Sequence, residues 1–348
     1  DYTFDNDLTL RSISSYRDTD SDFSFDIDYS PLSLLRADYQ DKYEQTTQEF
    51  QLISPTQDKF DYLIGLYYYK QKSETQRNAI VGDDITDYMT AILGPLPPEY
   101  YPSEQVINEG AVDTESYAIF ANFNYDITEQ LHLGFGFRYS EETKEVDWNL
   151  DGSTSGLFAI GVGQVEDSRT DKDLSPSFSL NYDFNDNLVG YFRYAEGYKS
   201  GGYNLDYVTQ ADLAVGIEFD KETVASYEVG LKGLVLNGQL QFAFAVFDTN
   251  YDDYQVNQFI DLGDGFTSIS IRNAAEVSTS GAELELTTQA TESLSISASL
   301  GVLDAKFDSF VGGGAGGSDA SGNKIPLAAE FQGALALDYF YTINDNLE

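Results

Sequence analysis

Apolar and polar side chains alternate one by one along stretches of about ten residues, which is the period of a β-strand. From Leu131 the odd positions read Leu131, Leu133, Phe135, Phe137 and Tyr139, and the even positions between them read His132, Gly134, Gly136, Arg138 and Ser140. Similar faces occur at Phe60–Tyr68, Tyr117–Tyr125, Leu240–Val246, Leu294–Val302 and Phe331–Tyr339, each counted at every second residue. Helical three-four spacing is sustained nowhere to a comparable extent, so the pattern predicts an all-β chain. Twelve strands follow, over 6–17, 43–54, 59–73, 113–126, 131–147, 171–184, 188–200, 222–234, 239–256, 270–288, 294–308 and 327–342.

The joins between these strands alternate in length. Those at 55–58, 127–130, 185–187, 235–238 and 289–293 are tight, whereas 18–42, 74–112, 148–170, 201–221, 257–269 and 309–326 are long. Short turns on one rim and long loops on the other are the habit of outer-membrane barrels, periplasmic and extracellular respectively. A soluble sandwich has no reason to sort its loops this way. The turns also repeat: Phe4-Asp5-Asn6-Asp7-Leu8, Phe184-Asn185-Asp186-Asn187-Leu188 and Ile343-Asn344-Asp345-Asn346-Leu347 are nearly one pentapeptide. Asn and Asp tolerate left-handed backbone and hydrogen-bond their own turn, so each copy can close a hairpin.

Composition narrows the class further. There are 26 Tyr and 23 Phe in 348 residues, and Tyr68, Tyr125, Tyr139 and Tyr339 sit near strand ends, as interfacial girdle residues would. No cysteine is present, which removes disulfides and thiolate chemistry. The formal net charge of −40 excludes a nucleic-acid footprint. No run approaches the roughly 20 apolar residues of a membrane-spanning helix, and no secretory leader opens the chain at Asp1. In lipid every backbone group must be paired, so strands of this kind survive only in a closed barrel. The expected fold is therefore an antiparallel transmembrane β-barrel segment with short periplasmic turns and long extracellular loops.

Three segments carry a resemblance. Tyr198-Lys199-Ser200-Gly201-Gly202-Tyr203-Asn204, the strand Glu222-Thr223-Val224-Ala225-Ser226-Tyr227-Glu228-Val229-Gly230-Leu231-Lys232, and Asn273-Ala274-Ala275-Glu276 with Gly281-Ala282-Glu283-Leu284-Glu285 resemble, in order and spacing, the TonB-dependent outer-membrane receptor family. The likeness is clearest over 188–290. It implies a globular plug inside a barrel of about 22 strands, loops that capture a scarce nutrient (often a ferric siderophore-type chelate), and energy supplied by the inner-membrane TonB complex. It also implies residence in the outer membrane of a Gram-negative bacterium, among outer-membrane lipid and lipopolysaccharide. Twelve strands are about ten short of closure, and no plug or TonB-contacting segment is recognisable. Residues 1–348 are thus expected to be a partial barrel whose plug and C-terminal strands lie elsewhere. Two alternatives share the barrel: a non-energised surface-binding or adhesion barrel, and a passive porin-like channel.

Candidate sites are few. His132, the single histidine, lies on the lumen face beside a short turn and reads as a hydrogen-bonded wall residue. A lipase-like barrel needs Ser, His and an orienting polar group to converge; no convergence is legible, so neither an enzyme nor a cofactor is expected. Asp18, Asp20 and Asp22 open the first long loop and could ligate Ca²⁺ through oxygen, although solvated loop charge is the favoured reading, as it is for Tyr251-Asp252-Asp253-Tyr254. The six long loops hold 24 acidic and 6 basic residues, which leaves −22 of the −40 in strands and turns, so acidity marks no dedicated cation trap. The substrate-facing candidates are Tyr100 and Tyr101 in the proline-stiffened loop Leu93–Pro102, together with Tyr198, Lys199, Tyr203 and Asn204 of the family-like segment. The Gly312–Gly317 run reads as a flexible loop tip.

Overall fold

The computed structural model describes residues 1–55, 59–263, 266–314 and 318–341. Within them the chain forms strands β1 (Tyr2–Thr3), β2 (Thr9–Asp26), β3 (Leu35–Ile53), β4 (Phe60–Val81), β5 (Gln105–Asp126), β6 (Leu131–Asp151), β7 (Val162–Asn185), β8 (Leu188–Lys199), β9 (Gly202–Tyr203), β10 (Glu218–Phe219), β11 (Glu222–Val235), β12 (Leu240–Gly263), β13 (Phe266–Thr291), β14 (Leu294–Ser309) and β15 (Phe331–Tyr339). Helices α1 (Ile85–Leu93) and α2 (Gln210–Val215) lie in loops. Thirteen strands make one sheet in chain order, with β8 pairing directly to β11; β9 and β10 pair only with each other. Every ladder is antiparallel, so the architecture is a run of hairpins. Among the described residues no helix is long and apolar enough to cross a membrane.

Alternation explains why these residues form a sheet with two unlike faces. On the outer face Ile119 stands opposite Tyr139 and Phe123 opposite Phe135, while the Phe60 and Phe123 rings stack at 6.0 Å and the Tyr68 and Tyr117 rings meet at 5.1 Å. Such cross-strand pairs are the unit of sheet stabilisation. Tyr117, Ile119, Phe135 and Tyr139 stay 40–55% exposed, as the lipid-facing side of a barrel wall requires. From Leu131 to Tyr139 the run covers nine residues. At about 3.3 Å per residue and a tilt of about 40°, it matches an apolar band of about 25 Å. The opposite face carries His132, Arg138, Ser140 and Asp171, the wall of a wet lumen.

All twelve predicted strands are present, as β2–β8 and β11–β15, and their turns behave as the repeats suggest. Asp7 takes φ 61° in the Phe4–Leu8 turn, Leu236 and Asn237 take φ 54° and 58°, and Asn187 N donates to Asn185 Oδ1 at 3.0 Å. The third pentapeptide, Ile343–Leu347, and most of the 55–58 turn fall outside the described residues, as do Ala315–Gly317 of the glycine run.

The long loops need correction. β2 runs on to Asp26 and β3 starts at Leu35, so the first loop shrinks to 27–34, and Asp18, Asp20 and Asp22 stand on a strand instead of opening a loop. Likewise 74–112 shrinks to 82–104 and 148–170 to 152–161, while β12 and β13 continue through most of 257–269. At the other end β15 begins at Phe331 rather than 327. Above the membrane lipid no longer demands an apolar outer face, so the outward period that marks the spanning strands lapses there, and backbone pairing carries β2 and β3 onward. The all-β expectation holds, with α1 a short exception in which Ile85, Tyr88, Met89, Ile92 and Leu93 follow helical spacing too briefly to stand out.

The lumenal mouth as candidate functional site

Above Ser140 the apolar residues of β6 change sides. Glu145 and Asp147 now point outward and are exposed, whereas Val146, Trp148 and Leu150 point inward and are 0–4% exposed. On β5 the inward residues opposite them are Val112, Gly110 and Asn108. A Cβ on Gly110 would lie 2.9 Å from Trp148 Cδ1, so glycine gives the indole its seat. The inversion places an apolar wall inside the mouth, and such a wall needs a cover in water.

The cover is the loop 200–221. Its Tyr203, Val208 and Ile217 join Val106, Val146, Trp148 and Leu150 in one buried cluster. Polar contacts fix its path across the strands. Trp148 Nε1 donates to Asn108 Oδ1 at 2.5 Å, and Asn108 Nδ2 donates to Leu205 O at 3.3 Å. Tyr207 Oη reaches Arg77 O on β4 at 2.7 Å, and Gly161 N donates to Val208 O at 2.9 Å. Thr209 and Asp212 close a capping box on α2, which stiffens the loop from within.

Both stems of this loop are clamped. Asp171, with its side chain 9% exposed, receives Arg169 through Nε at 3.1 Å and Nη2 at 2.9 Å, and also accepts Gly201 N at 3.0 Å. Arg169 Nη1 donates to Phe219 O at 2.7 Å, so one ion pair grips the first and last turns together. Burial pushes the Asp171 carboxyl up, but the Arg169 fork and the Gly201 amide outweigh it and hold it below the usual carboxylate range. A Cβ on Gly201 would collide with the Arg169 guanidinium and Phe219 O. On the far side Gln255 Nε2 donates to Ser200 O and Asp220 O, both at 2.9 Å, and Glu222 Oε2 accepts Gln255 N at 2.8 Å. Asp220 N donates to Asn273 Oδ1 at 2.5 Å, and Asn273 Nδ2 returns a bond to Asp220 O at 2.6 Å.

The predicted site residues separate into two groups. Tyr203 is buried, its Oη unpartnered among the described residues and its phenol pushed up to about 12 by burial and then by Asp167. Asn204 straps the loop to β13: its Nδ2 donates to Ile271 O at 3.0 Å and its Oδ1 accepts Ile271 N at 2.7 Å. Tyr101 lies with Leu34, Ile85 and Met89 under a second loop cluster, its Oη 2.7 Å from Thr90 Oγ1 and accepting Leu96 N at 3.1 Å. These three hold loops in place. Tyr100 is 45% exposed at the extracellular tip, Lys199 is exposed, and Lys221 Nζ lies 6.0 Å from the Tyr198 ring centre at the mouth. Tyr100 and Tyr101 therefore belong to a different loop cluster from Tyr198–Asn204.

Asp18, Asp20 and Asp22 lie side by side on β2 opposite Glu44, Lys42 and Gln40, and among the described residues no group of three or more His, Asp or Glu side chains is arranged to hold a metal ion. Tyr251–Tyr254 forms a bulge with Asp253 at φ 54°. His132 is held by Asp126 through Nδ1 at 2.5 Å and by Asp183 through Nε2 at 3.0 Å, at the periplasmic rim. Sequence reasoning missed Asn108, Trp148, Arg169, Asp171 and Gln255. The switch of apolar residues from odd to even positions after Ser140 was the available signal for Trp148.

Comparison with known proteins agrees with this architecture. The family model described as TonB dependent receptor-like, beta-barrel matches residues 1–348. The Pesticin receptor of Yersinia pestis is 27% identical over 176 residues, 51% of this chain and 24% of that protein; its Yersinia enterocolitica counterpart is 28% identical over 177 residues. The crystal structure of the ferric yersiniabactin uptake receptor FyuA from Yersinia pestis superposes with a TM-score of 0.73 at 18% identity, over 97% of this chain and 45% of that one. The siderophore receptor PiuA from Acinetobacter baumannii gives 0.68 at 17% identity, over 97% and 50%. The chain thus spans half or less of the length of the proteins it matches. With its hairpin sheet, lipid-facing girdle and family-wide match, the chain belongs to the TonB-dependent receptors, within their β-barrel.

Proposed function

We propose that this chain supplies barrel wall and ligand-facing loops for TonB-energised uptake of a scarce nutrient across a Gram-negative outer membrane, with a ferric siderophore-type chelate as the leading cargo. The observation that carries the reading is the braced loop 200–221 lying over the apolar inner wall. It supports a rigid, half-roofed vestibule, as capture before an energised step requires. A passive porin-like channel has no use for such a roof. The names of the similar proteins, a ferric yersiniabactin uptake receptor and a siderophore receptor, favour iron chelates. In this reading the plug and the TonB contact belong to parts of the protein outside 1–348, and the outer face meets lipid and lipopolysaccharide. Tyr100, Tyr198 and Lys199 remain the ligand-facing candidates at the mouth. Growth of a strain lacking the full gene on ferric chelates, cobalamin and oligosaccharides tests it. Failure on one ferric chelate is expected; growth unaffected on every iron source rules out the siderophore assignment.

A further inference from the structure

Arg138 projects from the lumen face of β6, opposite Phe120 of β5 and Ser175 of β7. Its guanidinium carbon lies 5.1 Å from the Tyr67 ring centre and 5.6 Å from that of Phe120, an aromatic cradle supplied by the neighbouring strands β4 and β5. Gly65 makes the cradle possible: it faces Phe120 across the β4–β5 ladder, and a Cβ there would collide with the ring, so glycine lets Phe120 lie flat along the wall. Nε donates to Ser140 Oγ at 3.0 Å, and Ser140 is itself 3% exposed. The side chain is therefore aimed, not free to sweep.

The terminal amino groups of this guanidinium make no ion pair or hydrogen bond among the described residues. That is unexpected in a chain with 59 acidic and 19 basic residues. Three lumen-side carboxylates of β6 and β7 pair with other cations: Glu142 with Lys144, Asp171 with Arg169, and Asp173 with Lys221 at 2.9 Å. On the periplasmic side of Arg138 the wall is made of Gly136 opposite Ser177 and Gly134 opposite Ser179, side chains too small to fill the lumen in front of it. A guanidinium has five N–H donors in a planar fork that matches a carboxylate two by two. Here, among the described residues, one donor is used, and the side chain stands on the lumen face of β6.

We propose that Arg138 is an anion-recognition residue of the lumen wall, taking a carboxylate in bidentate fashion from whatever occupies or traverses the lumen. Two sources present that chemistry: an acidic side chain of a polypeptide seated in the barrel, or a carboxylate on a small ligand. The proposal rests on the uptake reading only for what enters the lumen.

The test uses the purified full-length receptor in detergent, as wild type, Arg138→Gln, Arg138→Lys and Phe120→Leu, with heat-modifiable gel migration showing that each is a folded barrel. Citrate is the small-anion probe and uncharged triethyl citrate its control, both by titration calorimetry. Hydrogen exchange across the lumen-seated part reads the polypeptide source. A small-ligand source predicts that citrate affinity falls by about tenfold or more in Arg138→Gln and by less in Arg138→Lys, with triethyl citrate silent. A polypeptide source predicts no citrate binding, but exchange of one acidic lumen-seated segment about tenfold faster in Arg138→Gln, with Arg138→Lys intermediate. Unchanged citrate affinity together with unchanged exchange in both Arg138→Gln and Phe120→Leu overturns the proposal. TonB-independent uptake would instead overturn the transport reading and leave these results untouched.

Discussion

Arg169 and Asp171, two residues apart on the lumen face of β7, together hold both ends of one loop: Asp171 accepts the Gly201 amide while Arg169 donates to the Phe219 carbonyl. The fork between them is charge-assisted and almost fully removed from water. Removing one partner leaves the other buried and uncompensated, a loss of about 3 kcal/mol or more. Asp171→Asn is therefore expected to loosen 200–221 without unfolding the barrel, read as faster hydrogen exchange in that loop against unchanged exchange in β6 and β11. Equal exchange in the loop would show that the clamp is dispensable.

The apolar anchor of the same loop is Trp148. Trp148→Ala leaves a cavity and strips Asn108 of its indole partner, so a cost of about 3–5 kcal/mol is expected. Limited proteolysis should cut first within 200–221. Phe135→Ala, on the lipid-facing side, should leave that cleavage pattern intact.

Gly201 has no tolerance for a side chain, because a Cβ meets both the Arg169 guanidinium and Phe219 O. Gly201→Ala should reproduce the exchange phenotype of Asp171→Asn, and combining the two should add little, since they break one clamp. Additive effects would mean that the two residues act separately.

The loop 27–34 has its own acid-sensitive staple. Asp28 accepts the amides of Ser30, Leu34 and Leu35, and its carboxyl is held down to about 2, first by the Ser30 hydroxyl and then by the Leu35 amide. A depressed carboxyl contributes order above its unfolded value near 4 and loses it as pH falls toward 2. Protection of the Leu35 amide, corrected for intrinsic exchange, should hold from pH 7 to about 4 and decline below. Asp28→Asn should flatten that profile.

Much of this fold was legible because lipid imposes a strict period. Leu131 to Tyr139 announce their strand and its facing, and the Asn-Asp pentapeptides announce turns. Above the membrane that constraint ends, so the polar run Asp18–Asp22 carries no strand signal of its own although Lys42 and Glu44 pair beside it. The family-like Lys199–Asn204 segment was legible as important but not as to why. Ser200, Gly201 and Asn204 are bonded to Gln255, Asp171 and Ile271, partners 55, 30 and 67 residues away in sequence, which no local pattern reveals. Trp148 is the single tryptophan of the sequence, and its register opposite Gly110 shows that it seats the loop.

The most direct measurement is uptake of radiolabelled ferric chelate by cells carrying the full-length gene, with and without a functional TonB protein. Accumulation that requires both the receptor and TonB, and that stops when the proton-motive force is collapsed, is the predicted result. Receptor-dependent accumulation that proceeds equally well in cells lacking TonB would contradict the account and identify a passive channel instead.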